Sequence, residues 1–283
     1  MITKEENILL NTKEYNFIKS GWGQDVTDNI NLRKILYESD NEEVEGYIAT
    51  PKYISGKLPV IIWNRGGFKE SGKLNNFLAF GLLGEIASWG YAVFASQYRE
   101  NDEFGGSDVN DIMNIINLAE KSDYVNPDLI GMEGWSRGGM MTYLTLTMTE
   151  KIKCAIIISG IADLKRNINN IDISKIFSTI IKNTKISTEI EIKKRSAVDF
   201  FEKISKNTSI LLIHGDKDER ISHLDSIDMF SKLYGNKYAD YEIKIIQGCD
   251  HFLKASKKEV SKLRKNWFAK YLKYLLIICF KKI

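Results

Sequence analysis

The sequence predicts an α/β protein: a mostly parallel sheet of eight strands with helices on both faces. Three observations predict it. Short apolar, β-branched runs alternate with segments of helical pattern, as in strand–crossover–strand units. The middle and later runs are apolar on consecutive residues, as strands covered on both faces must be. The chain of 283 residues, 43% hydrophobic, can bury one sizeable core.

The strand candidates, in order, are Lys34–Glu38, Glu45–Ala49, Val60–Trp63, Ala92–Ser96, Leu129–Gly134, Cys154–Ser159, Ile210–His214 and Tyr241–Ile246. Between them lie the helices. Asn75–Trp89 is the first, Asp108–Lys121 follows a capping Ser107, and Ser136–Met148 comes next. Ser222–Tyr234 is another, and the capping box Ser256-Lys257-Lys258-Glu259 opens the last, which runs to about Tyr274. Residues 1–33, with Gly21-Trp22-Gly23, read as a short helical extension. Residues 161–206 form an excursion with helices over Ile171–Lys182 and Thr188–Phe201. Only three prolines occur and no Pro/Gly/Ser-rich linker, so residues 34–283 read as one domain. No internal repeat is visible.

The stretch Gly134-Trp135-Ser136-Arg137-Gly138 reads G-x-S-x-G between a strand and a helix. A sharp turn there lifts the serine hydroxyl out of the sheet and aims a helix N-terminus at it. The glycines permit the turn and close helix–strand packing. Ser136 is therefore the candidate nucleophile. The plainer alternative is a Gly-rich turn with an idle serine.

A serine nucleophile needs a general base. The histidines are His214, His223 and His251. His251 sits in Gly248-Cys249-Asp250-His251, beyond a strand's C-terminal end, where α/β sheets place their sites. His214 ends an apolar run and reads as ordering the turn after it. His223 lies just inside a helix. His251 is the favoured base. In the Ser–acid–His chain order the acid falls in His214-Gly215-Asp216-Lys217-Asp218-Glu219. Asp216, Asp218 and Glu219 all qualify there, and spacing does not choose among them.

With these segments in place, the chain resembles the catalytic domain of the prolyl oligopeptidase family of serine peptidases, within the α/β-hydrolase superfamily. The matching segments run from about Val44 to Leu272. They include Asn64-Arg65-Gly66-Gly67, Phe104-Gly105-Gly106-Ser107-Asp108 and Glu133-Gly134-Trp135-Ser136-Arg137-Gly138-Gly139. Arg195-Ser196-Ala197-Val198, Leu212-Ile213-His214-Gly215 and Gly248-Cys249-Asp250-His251 complete them. The resemblance implies the α/β-hydrolase fold, with residues 161–206 as a small helical cap over the site. It places the triad acid, the last position of H-G-x-x-D, on Asp218, with Asp216 as runner-up. It implies an acyl-enzyme mechanism on amide or peptide bonds and no cofactor or metal. A carboxylesterase or thioesterase with the same triad is the alternative, and a non-catalytic binding protein on the same fold is a further one.

One departure from the family concerns the oxyanion. Many relatives carry histidine or tyrosine before the Gly-Gly pair, where this chain has Arg65. The expected donors are the Arg137 backbone N–H and the Asn64–Gly67 loop, through Arg65 itself or Gly66. Trp135 is expected beside the substrate. A salt-bridge role for Arg65 is equally compatible with the sequence.

Relatives often carry a β-propeller that admits only short peptides. Few residues precede the hydrolase core here, so no propeller is expected and the partner is a small molecule or short peptide. Arg65, Arg99 and Arg137 suggest a positive mouth that favours carboxylates. Against it, they can pair with acids such as Glu100, Asp102 and Glu133. A net charge of +3 does not argue for nucleic acid. No signal peptide is evident, and the apolar stretch Tyr274–Phe280 is too short to span a bilayer. That stretch reads as a helix end or a contact in a homo-oligomer. Cys154, Cys249 and Cys279 give no disulfide framework, and a cytoplasmic enzyme is the default.

Overall fold

The computed structural model describes residues 1–182, 187–235 and 239–272. Tyr274–Phe280 and Cys279 lie outside the described residues. The strands are β1 (Ile2–Ile8), β2 (Ile30–Ser39), β3 (Glu42–Pro51), β4 (Leu58–Asn64), β5 (Ala92–Ser96), β6 (Val125–Trp135), β7 (Ile152–Ile158), β8 (Ser209–Gly215) and β9 (Tyr241–Ile246). The helices are α1 (Thr12–Trp22), α2 (Gln24–Asn29), α3 (Asn76–Ser88), α4 (Val109–Glu120), α5 (Arg137–Leu146), α6 (Leu164–Asn167), α7 (Ile171–Lys182), α8 (Thr188–Arg195), α9 (Ala197–Phe200), α10 (Leu224–Tyr234) and α11 (Lys257–Leu272).

The nine strands form one sheet in the order β1-β2-β3-β5-β4-β6-β7-β8-β9. β1, β2, β3 and β5 pair antiparallel in turn, and every pairing from β5 across to β9 is parallel. The strand not expected is β1. Its Thr3–Asn7 run is polar and exposed, because an edge strand need not bury both faces. The first 33 residues thus add a strand as well as helices α1 and α2.

Strand alternation divides the core into two layers. Val60, Ile62, Phe94, Ala155, Ile157, Ile210 and Leu212 face α4, α5, α10 and the cap. Ile61, Trp63, Val93, Ile156, Ile158, Leu211 and Ile213 face α1, α2, α3 and α11. Both faces being covered explains the continuous apolar runs. Every parallel strand therefore ends on the same edge, and the loops after β4, β5, β6, β8 and β9 converge there.

The cap splits where one helix was expected. Ser196 separates α8 from α9: its hydroxyl donates to the Ile192 carbonyl at 2.8 Å and accepts from the Leu164 N–H at 3.1 Å. Arg195 then anchors the cap, donating to the carbonyls of Phe104 at 2.8 Å and Glu103 at 3.1 Å.

Candidate active site

Ser136 sits at the β6–α5 turn with φ 56° and ψ −119°. A non-glycine residue rarely adopts this conformation, and holding it requires support from all sides. The Ser136 N–H donates to the Ile158 carbonyl at 2.9 Å. A Cβ on Gly134 would lie 2.1 Å from the Gly138 carbonyl oxygen, and one on Gly138 would lie 2.0 Å from that of Asn64. Both glycines are required by close backbone approach rather than by torsion. The turn leaves Ser136 at the N-terminus of α5, whose first N–H groups have no partner within the helix.

The loops after β8 and β9 bring an acid and a base together. His251 Nδ1 lies 2.7 Å from Asp218 Oδ2. The other oxygen, Oδ1, accepts from the N–H groups of Arg220 at 2.8 Å and Ile221 at 2.9 Å. Burial would raise the Asp218 carboxyl, but hydrogen bonds from His214 and His251 outweigh it and hold the group well below the usual carboxylate range. Asp216 points elsewhere and accepts the Gly248 N–H at 2.6 Å, closing the turn between the two loops. Glu219 is exposed, and His223 stands at the start of α10.

Ser136 and His251 line one cavity of about 420 Å³. Its apolar wall comes from Phe68, Phe104, Ile161 and Ile221, with Ile173 and Ile176 of α7 closing it from the cap. Sequence reasoning singled out the excursion but not these residues. The apolar spacing of α7 was visible, yet which side chains turn into the cavity depends on how the helix docks.

Arg65 does not reach toward Ser136. Its guanidinium donates to the carbonyls of Gln97 at 2.9 Å, Gly66 at 3.0 Å, Lys69 at 3.1 Å and Ser71 at 3.3 Å. These bonds, with an ion pair to Asp102 at 3.8 Å, tie the side chain into the β4–α3 loop. Gly66 lies against the nucleophile: a Cβ there would be 3.3 Å from Ser136 Cβ. Trp135 packs with the layer facing α3 and α11 rather than into the cavity.

The Arg137 side chain is wholly buried. It pairs with Asp102 at 2.6 Å and with Asp108, and its guanidinium lies 4.7 and 4.9 Å from the ring centres of Tyr98 and Phe104. Arg99 pairs with Asp111 at 2.7 Å, Asp40 at 3.0 Å and Glu42 at 3.4 Å. The three arginines therefore present no positive mouth. Of the acids expected to pair with them, Asp102 does so, whereas Glu133 pairs with Arg264 at 2.7 Å.

A serine on a strained strand-to-helix turn, an acid after β8 and a histidine after β9, on a mostly parallel sheet, define an α/β-hydrolase. Within that class, the chain belongs to the prolyl oligopeptidase family, whose model matches residues 88–274, and it is a hydrolase of the serine peptidase type. It is 29% identical over 215 residues to the uncharacterized peptidase YtmA of Bacillus subtilis (strain 168), covering 73% of this chain and 81% of that one. Among solved structures, an acylaminoacyl peptidase in complex with Z-Gly-Gly-Phe-chloromethyl ketone is similar with a TM-score of 0.73 and 24% identity, over 87% of this chain and 43% of that chain. A Mycobacterium tuberculosis puromycin-hydrolyzing peptidase is similar with a TM-score of 0.72 and 17% identity, over 86% of this chain and 40% of that one. The chain spans less than half of these solved peptidases, and the likeness to them is one of fold. No helix among the described residues is long and apolar enough to cross a membrane.

Proposed function

We propose that Ser136, His251 and Asp218 are the triad of a peptidase that cleaves amide bonds of small substrates through an acyl-enzyme. The observation that carries this reading is the 2.7 Å contact between His251 Nδ1 and Asp218, with His251 and Ser136 on the wall of one cavity. Asp218 fixes the Nδ1–H tautomer, which leaves Nε2 to accept a proton. Ser136 Oγ attacks the acyl carbon while its proton passes to Nε2. The same proton then goes to the departing amine as the C–N bond breaks. Water repeats the sequence to release the acid and restore Ser136.

The negative oxygen of each tetrahedral species faces the N-terminus of α5. The Arg137 N–H is one donor there, and the backbone around Gly66 and Gly67 supplies the other. Each such donor lowers the barrier by about 3 kcal/mol. The cavity of about 420 Å³, walled by Phe68, Phe104, Ile173 and Ile176, suits a short peptide or small acyl group with an apolar side chain rather than a folded protein. A cytoplasmic setting fits the two buried free thiols, Cys154 and Cys249.

Fluorophosphonate labelling of the wild type and of Ser136→Ala tests the nucleophile. Labelling only of the wild type is expected, and equal labelling would remove Ser136 from the role. Hydrolysis of aminoacyl-arylamides against short-chain aryl esters tests the bond cleaved. Turnover of esters alone would make the enzyme an esterase.

A further inference from the structure

His214 is the penultimate residue of β8, and its side chain is fully buried. Three atoms surround its ring. Nε2 lies 3.1 Å from Asp218 Oδ2 and 3.1 Å from the Ile221 carbonyl oxygen. Nδ1 lies 2.8 Å from Ser226 Oγ on α10. A carbonyl oxygen only accepts, so Nε2 carries the hydrogen, shared between that carbonyl and the carboxylate. Nδ1 then accepts from the Ser226 hydroxyl. One neutral imidazole satisfies all three contacts.

The oxygen that Nε2–H reaches is the one that receives His251 Nδ1. Asp218 is thus held by four donors, two on each oxygen: His251 and His214 on Oδ2, and the Arg220 and Ile221 N–H groups on Oδ1. We propose that His214 is a positioning residue of the triad: its Nε2–H shares Asp218 Oδ2 with His251 and so sets the strength of the Asp218–His251 bond and the proton affinity of the base. This rests on the triad reading above.

The physical argument is competition for one oxygen. A carboxylate oxygen with two N–H donors offers less of its charge to each. Without the His214 donor, more charge falls on the His251 bond, the imidazolium gains stability and the base holds its proton to higher pH. A base protonated at the working pH is idle.

The other charged groups around the pair are otherwise engaged or lie across the cavity. Asp216 is turned onto the Gly248 N–H, and Arg220 lies over the Phe252 ring at 5.1 Å. Asp225 on α10 accepts from the N–H groups of Ala162 and Asp163 and pairs with Arg166. Asp250 accepts from the N–H groups of Phe252 and Lys254. Lys217 and Glu219 are exposed on the acid's own loop, with His223 half-buried beyond it. Asp172 and Lys175 of α7 line the cavity that His251 lines. Among these, only His214 shares the oxygen that His251 uses.

The test is the pH dependence of inactivation by a fluorophosphonate, which requires Ser136 and its base but no identified substrate. Gln at 214 places an amide N–H near the Nε2 position and keeps the donor to Asp218. Asn reaches only to the Nδ1 position and loses it. Phe keeps the volume and has no donor. The acid limb should move to higher pH by about one unit, a roughly tenfold slower reaction below it, in His214→Asn and His214→Phe. His214→Gln should restore the wild-type limb.

A limb that stays in place in folded His214→Asn, with only the melting temperature lowered, would make His214 merely structural and overturn the proposal. So would equal shifts in the Asn and Gln variants. If the variants do not fold, ¹⁵N NMR of the wild type decides: His214 should be an Nε2–H tautomer. An Nδ1–H tautomer overturns the proposal. A wild type that does not label at all would instead overturn the triad reading.

Discussion

The Arg137 guanidinium donates to the Gly67 carbonyl at 2.8 Å, so the residue after Ser136 also grips the loop facing it. One residue thereby serves both sides of the proposed oxyanion site. Its backbone N–H stands at the start of α5, and its side chain holds the Gly66–Gly67 turn in place. The same guanidinium anchors the loop after β5 through Asp102 and Asp108. Replacing Arg137 with Met should leave the buried Asp108 without its ion-pair partner and Asp102 with only the more distant Arg65 at 3.8 Å, a loss of about 3–5 kcal/mol. Urea unfolding should show it, and fluorophosphonate labelling should slow in whatever remains folded. Lys should recover only part, since it lacks the planar fork that reaches both acids. An unchanged urea midpoint in Arg137→Met would show that the network contributes nothing net.

Strain at Ser136 predicts a divergence between activity and stability. Its φ of 56° with ψ of −119° suits glycine and is costly for any other residue, by about 1–3 kcal/mol. Ser136→Gly should abolish labelling and raise the melting temperature, even after the larger entropy loss of glycine on folding. Ser136→Ala should abolish labelling without that gain, because alanine keeps the Cβ. A glycine variant less stable than the alanine variant would argue that the turn is not strained.

Asp218 and Asp216 should behave differently although two residues apart. Asp218→Asn should reduce kcat/KM by roughly four orders of magnitude, as expected for a lost triad acid. Asp216→Asn should cost less than about tenfold, because a side-chain amide oxygen still accepts the Gly248 N–H. A pH effect on stability follows. The folded carboxyl of Asp218 is held below its unfolded value of about 3.9. A depressed pKa means that Asp218 contributes its full stability above the unfolded value and loses it as pH falls through the folded one. The wild type should therefore lose stability below about pH 4 more steeply than Asp218→Asn. Parallel acid-unfolding curves would remove this contribution.

Arg65 is expected to matter for stability more than for the transition state. Its removal leaves the carbonyls of Gln97, Lys69 and Ser71 without their donor. Arg65→Met should lower stability by about 2–4 kcal/mol, by analogy with other buried charge-assisted hydrogen bonds. In the folded fraction kcat should fall by less than the several-hundredfold expected for a lost oxyanion donor. A large fall in kcat with stability intact would return Arg65 to the oxyanion.

The difference between what the sequence revealed and what it hid has a physical cause. The turn at Ser136 was legible because a tight strand–helix turn demands glycines at fixed offsets, and the place of His251 because its loop follows a strand. The parallel strands were legible because burial on both faces leaves continuous apolar runs. β1 was not, since an edge strand of Thr3, Lys4, Glu5 and Glu6 carries no apolar pattern. Asp218 and Asp216 could not be separated by spacing, because the choice depends on which carboxylate the turn directs at His251. The two roles open to Arg65 could not be separated for a related reason: most of its partners are backbone carbonyls, which leave no trace in residue identities, and only Asp102, 3.8 Å away, is an acid. The break at Ser196 arises from a tertiary bond to the Leu164 N–H that local helix propensity does not register.

The cap should set acyl size. Ile173 and Ile176 lie one turn apart on α7 and, with Phe68 and Phe104, form the wall around Ser136. Ile173 is buried against the core, so its truncation would perturb docking of the whole helix. Ile176 is only partly buried, so changing it alters the cavity with less effect on the fold. Ile176→Ala should improve kcat/KM for 4-nitrophenyl 3-phenylpropionate relative to 4-nitrophenyl acetate. The gain should be about tenfold or more, in line with roughly 1–3 kcal/mol for one methylene in an apolar pocket. Ile176→Trp should reverse the preference, admitting acetate and excluding the aryl acyl group. Both variants should label with a small fluorophosphonate as fast as the wild type, since the triad is untouched. If both substitutions leave the ratio of the two esters at its wild-type value, α7 does not select the acyl group.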